Sequence, residues 1–114
     1  MNPIDRDLAT VTRRMIVQYS GVVQDFNPVH YDEEFARKSG LPSVIAQGSL
    51  AATVVLDGLV AQGLGDEISR LSIRLKAPVV PGSALHLACD AQGSLSITAA
   101  GRELLTGSVA LKDA

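Results

Sequence analysis

At 114 residues and 11.9 kDa the chain has the mass of one domain and leaves no room for a cofactor domain beside a catalytic one. Its 46% hydrophobic and 19% charged residues supply a real core, although a domain this short buries only about two-thirds of its unfolded surface and would gain from association. Ten basic against twelve acidic residues, a net charge of -2 and no Lys/Arg-rich run argue against nucleic acid as a partner and against an acidic disordered tail.

Along the chain, Met1 to Leu8 carries Asp5, Arg6 and Asp7 and no apolar core, so it does not read as a secretory signal. Thr12 is a good N-cap for a helix through Met15, Ile16 and Tyr19 to about Gly21. The order Gln24-Asp25-Phe26-Asn27-Pro28 then predicts a turn-rich loop, because proline removes a donor and pushes Asn27 out of the helical region. A short second helix follows: Asp32 caps it, Glu33 and Glu34 suit its positive end, Arg37 and Lys38 its negative end, and Gly40 stops it. Leu41 to Gly48 is an extended apolar approach to Ser49–Ala61, a helix apolar nearly all round and therefore expected in the core. Interrupted by Asp57, that run also falls short of the roughly 20 residues of a membrane span, so no membrane association is expected.

After Gly65 the period changes to two: Leu71, Ile73 and Leu75 alternate with Ser72, Arg74 and Lys76 until Pro78 and Pro81-Gly82 end the strand. Ala84–Ala91, Ser94–Ala99 and Leu104–Leu111 are three further strands, read together as an antiparallel meander. Cys89, the only cysteine, excludes an intrachain disulfide and a Cys-based zinc site, and fits a reducing compartment, with the cytoplasm as the expectation. Helices first and hairpin strands second predict one α+β domain over residues 1–114, a curved sheet wrapped around the apolar helix.

The chemistry concentrates in Tyr19 to Asp32, where Asp25 and His30 lie five residues apart around the Asn27-Pro28 turn. In a continuous helix that spacing makes two side chains diverge, whereas a proline-bent loop can aim both into one cavity. Such a pair can hold a water and move protons, since imidazole titrates near neutrality and a carboxylate orients it. A second element is Gln47-Gly48-Ser49 at the start of the buried helix, where free N–H groups and the helix dipole suit an oxyanion.

Tyr-Ser-Gly-x-x-x-Asp-Phe-Asn-Pro-Val-His-x-Asp, then Ala46-Gln47-Gly48 and Arg74 to Gly82, resembles the MaoC-like dehydratases and (R)-specific enoyl-CoA hydratases, over nearly the whole chain from about Thr12. The resemblance implies a hotdog fold and reversible hydration of a trans-2-enoyl thioester of CoA or acyl carrier protein to a (R)-3-hydroxyacyl thioester, with no metal or redox cofactor. It implies Asp25 and His30 as the catalytic pair and Gly48 as the oxyanion donor, with Asn27 shaping the loop or adding a polar contact and Ser49 a helix cap or a substrate contact. It also implies pairing as a homodimer or with a second hotdog chain. Three departures stand out: Gln47 where histidine is common, Gln24 where glycine is common, and an opening strand that Asp7 to Val11 must supply if it is not truncated.

Blander readings compete. Asp25 alone is a turn former, His30 alone a loop histidine, and Gly48 alone a tight helix entry. His86, in a strand without a carboxylate nearby in sequence, reads as structural, Tyr31 and Phe35 as packing residues, and Arg74 and Lys76 as a solvated face. Asp57 calls for a partner or a subunit boundary. A metal on Asp25, His30 and Asp32 lacks any His-x-x-x-His type of spacing. The alternative function is a non-catalytic hotdog subunit lining another chain's tunnel, against which the retained Asp25 and His30 speak; a thioesterase on the same fold ranks third.

Overall fold

The computed structural model describes residues 1–113. Strand β1 (Ile4–Val11) leads into helix α1 (Arg13–Val23), a 3-10 turn (Pro28–His30), and helices α2 (Glu33–Lys38) and α3 (Gly48–Ala61). Strands β2 (Ile68–Leu75), β3 (Ser83–Cys89), β4 (Ser94–Ala99) and β5 (Arg102–Leu111) complete the chain.

Local signals act where the sequence places them. Thr12 Oγ1 accepts from the Met15 N–H at 3.1 Å and starts α1, and Asp32 Oδ1 accepts from the Phe35 N–H at 3.1 Å and starts α2. Ion pairs Glu33–Arg37 (3.2 Å) and Glu34–Lys38 (2.9 Å) run along α2 on its exposed side, where each contributes little. The opening strand is present and longer than Asp7 to Val11, beginning at Ile4. Its charged residues hide the signal: Asp5 and Asp7 point outward, while Ile4 and Val11 are buried.

The five strands form one antiparallel sheet in the order β1-β3-β4-β5-β2. Only β3, β4 and β5 follow as a meander. β2 pairs with β5 at one edge because Pro78 and Pro81 prevent the segment after Leu75 from turning back as a hairpin strand. That segment crosses the sheet end instead, where the Val79 carbonyl accepts from the Ala46 N–H at 2.7 Å.

Leu85, Leu87, Leu95, Ile97, Leu105 and Val109 on the inner face of the sheet pack in one cluster with Leu50, Ala51, Val54, Val55 and Leu59 of α3. Gly58 allows β1 to lie against the helix, since a Cβ there would stand 2.3 Å from Leu8 Cδ2. The expectation of a helix buried all round is corrected on one stripe: Leu56 is 39% and Val60 51% exposed, because a sheet covers a helix from one side only. Asp57 lies on that exposed stripe, so its charge stays in solvent. Tyr31 and Phe35, read as packing residues, are likewise exposed. Among the described residues no helix is long and apolar enough to cross a membrane.

Candidate active site

The loop between α1 and α2 is built from successive local hydrogen bonds. Gln24 closes α1 in the left-handed region (φ 60°, ψ 34°), and the Ser20 carbonyl accepts both its N–H and, at 3.1 Å, that of Asp25. The Gln24 side-chain amide donates to the Gly21 carbonyl at 2.8 Å. Glutamine thus adopts a conformation that glycine takes most cheaply, at the position where glycine is common.

Asp25 Oδ1 then accepts from the Asn27 N–H and Asn27 Oδ1 from the Val29 N–H, each at 3.2 Å, two side-chain turns in sequence. Pro28 starts the 3-10 turn with its fixed φ, and the chain doubles back so that His30 Nε2 lies 3.3 Å from Asp25 Oδ2. Asn27 thus shapes the loop.

The other ring nitrogen settles the tautomer. His30 Nδ1 lies 2.8 Å from the Ile45 carbonyl oxygen, which can only accept, so Nδ1 carries a proton and Nε2 is the nitrogen offered to Asp25. The imidazole is buried, with 9% of its side chain exposed, while the Asp25 side chain is 43% exposed. One partner is held rigidly and the other is open to a reactant. With neutral imidazole, a lone pair faces a carboxylate, and a water donating to both relieves that opposition.

The same Ile45 joins the pair to the start of α3, since its N–H donates to the Val29 carbonyl at 3.0 Å. Gly48, three residues on, is the first residue of α3; Gln47 is the N-cap residue and makes no side-chain cap bond, leaving the first-turn N–H groups uncapped by it. A Cβ on Gly48 would meet nothing within 4 Å, so the space beside this amide is open. Ser49, whose bland reading was the cap, lies inside the helix and is exposed; its carbonyl accepts from Thr53 Oγ1 at 2.8 Å.

Two anchors escaped the sequence reading. The buried Gln47 donates through Nε2 to the Ile16 carbonyl (2.9 Å) and Ser20 Oγ (2.8 Å), tying α3 to α1. The Ile45 carbonyl has no sequence signal, because every residue carries one. Glu33 braces the same corner, reaching Arg13 at 3.2 Å and the Val44 N–H at 3.4 Å. Desolvation raises its pKa, but the Val44 N–H, Arg13 and Arg37 outweigh it and hold the carboxyl below its ordinary value.

Elsewhere, His86, which has no carboxylate nearby in sequence, has two in space: Asp7 Oδ1 lies 2.8 Å from Nδ1 and Asp5 Oδ1 2.5 Å from Nε2. They come from β1, paired with β3, and were invisible in sequence. Among the described residues no three His, Cys, Asp or Glu side chains converge as metal ligands. A cleft of about 690 Å³, lined among others by Pro42, Ser43, Val80, Arg102 and Leu104, opens beside the approach to α3.

A five-stranded antiparallel sheet of this order packed on α3 is a hotdog fold. The chain belongs to the MaoC like domain family, whose pattern matches residues 1–110. It is 33% identical over 89 residues to the 3-hydroxyacyl-thioester dehydratase X of Mycobacterium tuberculosis, covering 77% of this chain and 31% of that protein. The chain spans less than a third of the length of the curated relatives it matches. Among solved structures, the (R)-hydratase from A. caviae involved in PHA biosynthesis superposes with a TM-score of 0.79 at 22% identity, over 97% of this chain and 93% of that one. A chain of the ChsH1-ChsH2 complex from Mycobacterium tuberculosis gives 0.75 at 17% identity, over 100% and 94%. These two likenesses establish the fold.

Proposed function

We propose that the chain is a hydro-lyase that interconverts trans-2-enoyl and (R)-3-hydroxyacyl thioesters of CoA or an acyl carrier protein. The observation that carries the reading is the His30–Asp25 contact at 3.3 Å, with His30 Nδ1 anchored on the Ile45 carbonyl. That arrangement leaves Nε2 and one carboxylate oxygen side by side, the minimum needed to hold a water and exchange protons with it. In hydration, the water oxygen bonds to C3 as one of its O–H bonds breaks and the Asp25–His30 pair takes the proton. The π electrons move toward the thioester oxygen, and a proton delivered from the pair to C2 restores the thioester. Charge building on that oxygen is met by the Gly48 N–H at the positive end of α3. Ser49, exposed in the first turn of α3, and Asn27 are the further residues proposed to contact substrate. The chemistry draws on no metal or redox cofactor.

The test is turnover of trans-2-enoyl-CoA thioesters. Asp25→Asn and His30→Ala are each expected to lower kcat by about a thousandfold, within the range general acid-base groups contribute, with circular dichroism unchanged. Unchanged turnover in both variants would remove the mechanism and leave the reading of a non-catalytic hotdog subunit.

The working unit is proposed to be a pair of hotdog chains, either two copies or this chain with a second one. Support comes from edge strand β2, whose outer side is unpaired, and from Leu56, Val60 and Leu75 exposed on a small domain. One structural neighbour is a chain of a complex of two differently named proteins, ChsH1 and ChsH2.

A further inference from the structure

The buried side-chain amide of Gln47 carries an uncommon cost. Its nitrogen is committed to α1, because the Ile16 carbonyl can only accept, and Oε1 is consequently left buried without a donor. A buried acceptor in that state destabilises a fold, and an apolar side chain of the same length would avoid it. Neither neighbour needs the amide for its own satisfaction. Ile16 O sits within α1, where the ladder supplies a donor, and the Ser20 hydroxyl can turn to the same carbonyl four residues earlier. The two hydrogen bonds join α3 to α1, but neither partner requires them and the buried orphan oxygen offsets what they contribute.

Position gives a reason for the glutamine. Asp25 N–H donates to Ser20 O (3.1 Å), Ser20 Oγ accepts from Gln47 Nε2 (2.8 Å), and Gln47 immediately precedes Gly48. Two residues earlier, the Ile45 carbonyl holds His30 Nδ1 (2.8 Å), whose Nε2 returns to Asp25 at 3.3 Å. The links close a ring through the acid, the imidazole and the start of α3. Every other link is backbone or belongs to the Asp25–His30 pair or its carbonyl anchor. We propose that Gln47 is a positioning residue, which holds the Gly48 amide in register with the Asp25–His30 pair at the expense of an unsatisfied oxygen. This rests on the functional reading above and deepens it: the tether serves the reaction, not the stability of the domain.

The discriminating variant is Gln47→Met, which keeps the length of the side chain and removes both the tether and the orphaned oxygen. Measured on short, medium and long trans-2-enoyl-CoA thioesters, it should lose about ten- to a hundredfold in kcat, the scale of a small misplacement of reacting groups. KM should stay within about threefold, and the melting temperature should be unchanged or higher. A wild-type kcat in this variant overturns the proposal, as does a kcat that falls only together with the melting temperature. Gln47→Ala, which also opens a cavity, should lose both, and serves as the structural comparison. If the wild-type protein hydrates none of the thioesters, the functional reading fails instead, and 15N spectra then decide the tether. Gln47→Met must shift both the Gly48 amide and the His30 ring resonances if the ring exists; resonances that stay in place overturn it.

Discussion

Gln24 occupies a backbone conformation that glycine takes most cheaply, at the residue immediately before the acid of the site. An L-residue in the left-handed region is strained by about 1 kcal/mol, which the hydrogen bond from its side chain to Gly21 offsets in part. Gln24→Gly is expected to stabilise the protein by up to about 1 kcal/mol in urea denaturation, less what the flexible unfolded glycine gives back, with turnover retained. Gly48 shows the opposite balance. Because its missing Cβ faces open space, Gly48→Ala should leave the melting temperature unchanged or raised, alanine being the better helix former. Turnover should nevertheless fall at least tenfold, since in the proposed mechanism the methyl group would crowd the thioester oxygen that the amide receives. A fully active Gly48→Ala protein would show that no substrate oxygen approaches through the space beside Gly48. That Asp25 and His30 meet and that Gly48 begins α3 were legible in sequence because the Asn-Pro turn and the helix start are local devices. The anchors were not: Gln47 meets Ser20 across 27 residues, and Ile45 acts through a carbonyl that its identity does not reveal.

Between elements, the junction of β1 and β3 is held by the Asp5–His86–Asp7 cluster on the outer face of the sheet. Both ring nitrogens face carboxylates, which requires the protonated imidazole. The hydrogen bond to Asp7 and then that to Asp5 raise the His86 pKa above its ordinary 6.5, with desolvation opposing. A histidine whose folded pKa is raised contributes stability that is full below the unfolded value and disappears as pH rises through the folded one. The wild-type melting temperature should therefore fall relative to that of His86→Ala as pH is raised from about 6 to about 9. Parallel curves for the two proteins would show that the cluster adds nothing to the β1 docking. The helices and the strands β2 to β5 could be placed from caps and period-two alternation, yet β1 was shortened because Asp5, Arg6 and Asp7 read as a polar terminus. Only pairing with β3 reveals that two of these charges have a partner.

At the scale of the molecule, a single sheet covers α3 from one side and leaves Leu56 and Val60 exposed, while β2 ends the sheet with Leu75 45% exposed. Sedimentation velocity is expected to show the chain paired, alone or on mixing with a second hotdog chain, and enoyl-thioester turnover to follow the paired fraction. A chain that remains at 11.9 kDa and is fully active by itself would overturn the paired unit. The sequence by itself determined the α+β class, the central helix, and the residues of the Asp-His loop, because caps, turns and hydrophobic periods act over a few residues. The tertiary structure decided that β2 lies beside β5, that α3 keeps an exposed stripe, that His86 has two acidic partners, and that Gln47 closes the ring around the site. Each of these depends on which distant segments share a sheet edge or a helix face, and contacts between distant segments leave no periodic mark on the chain.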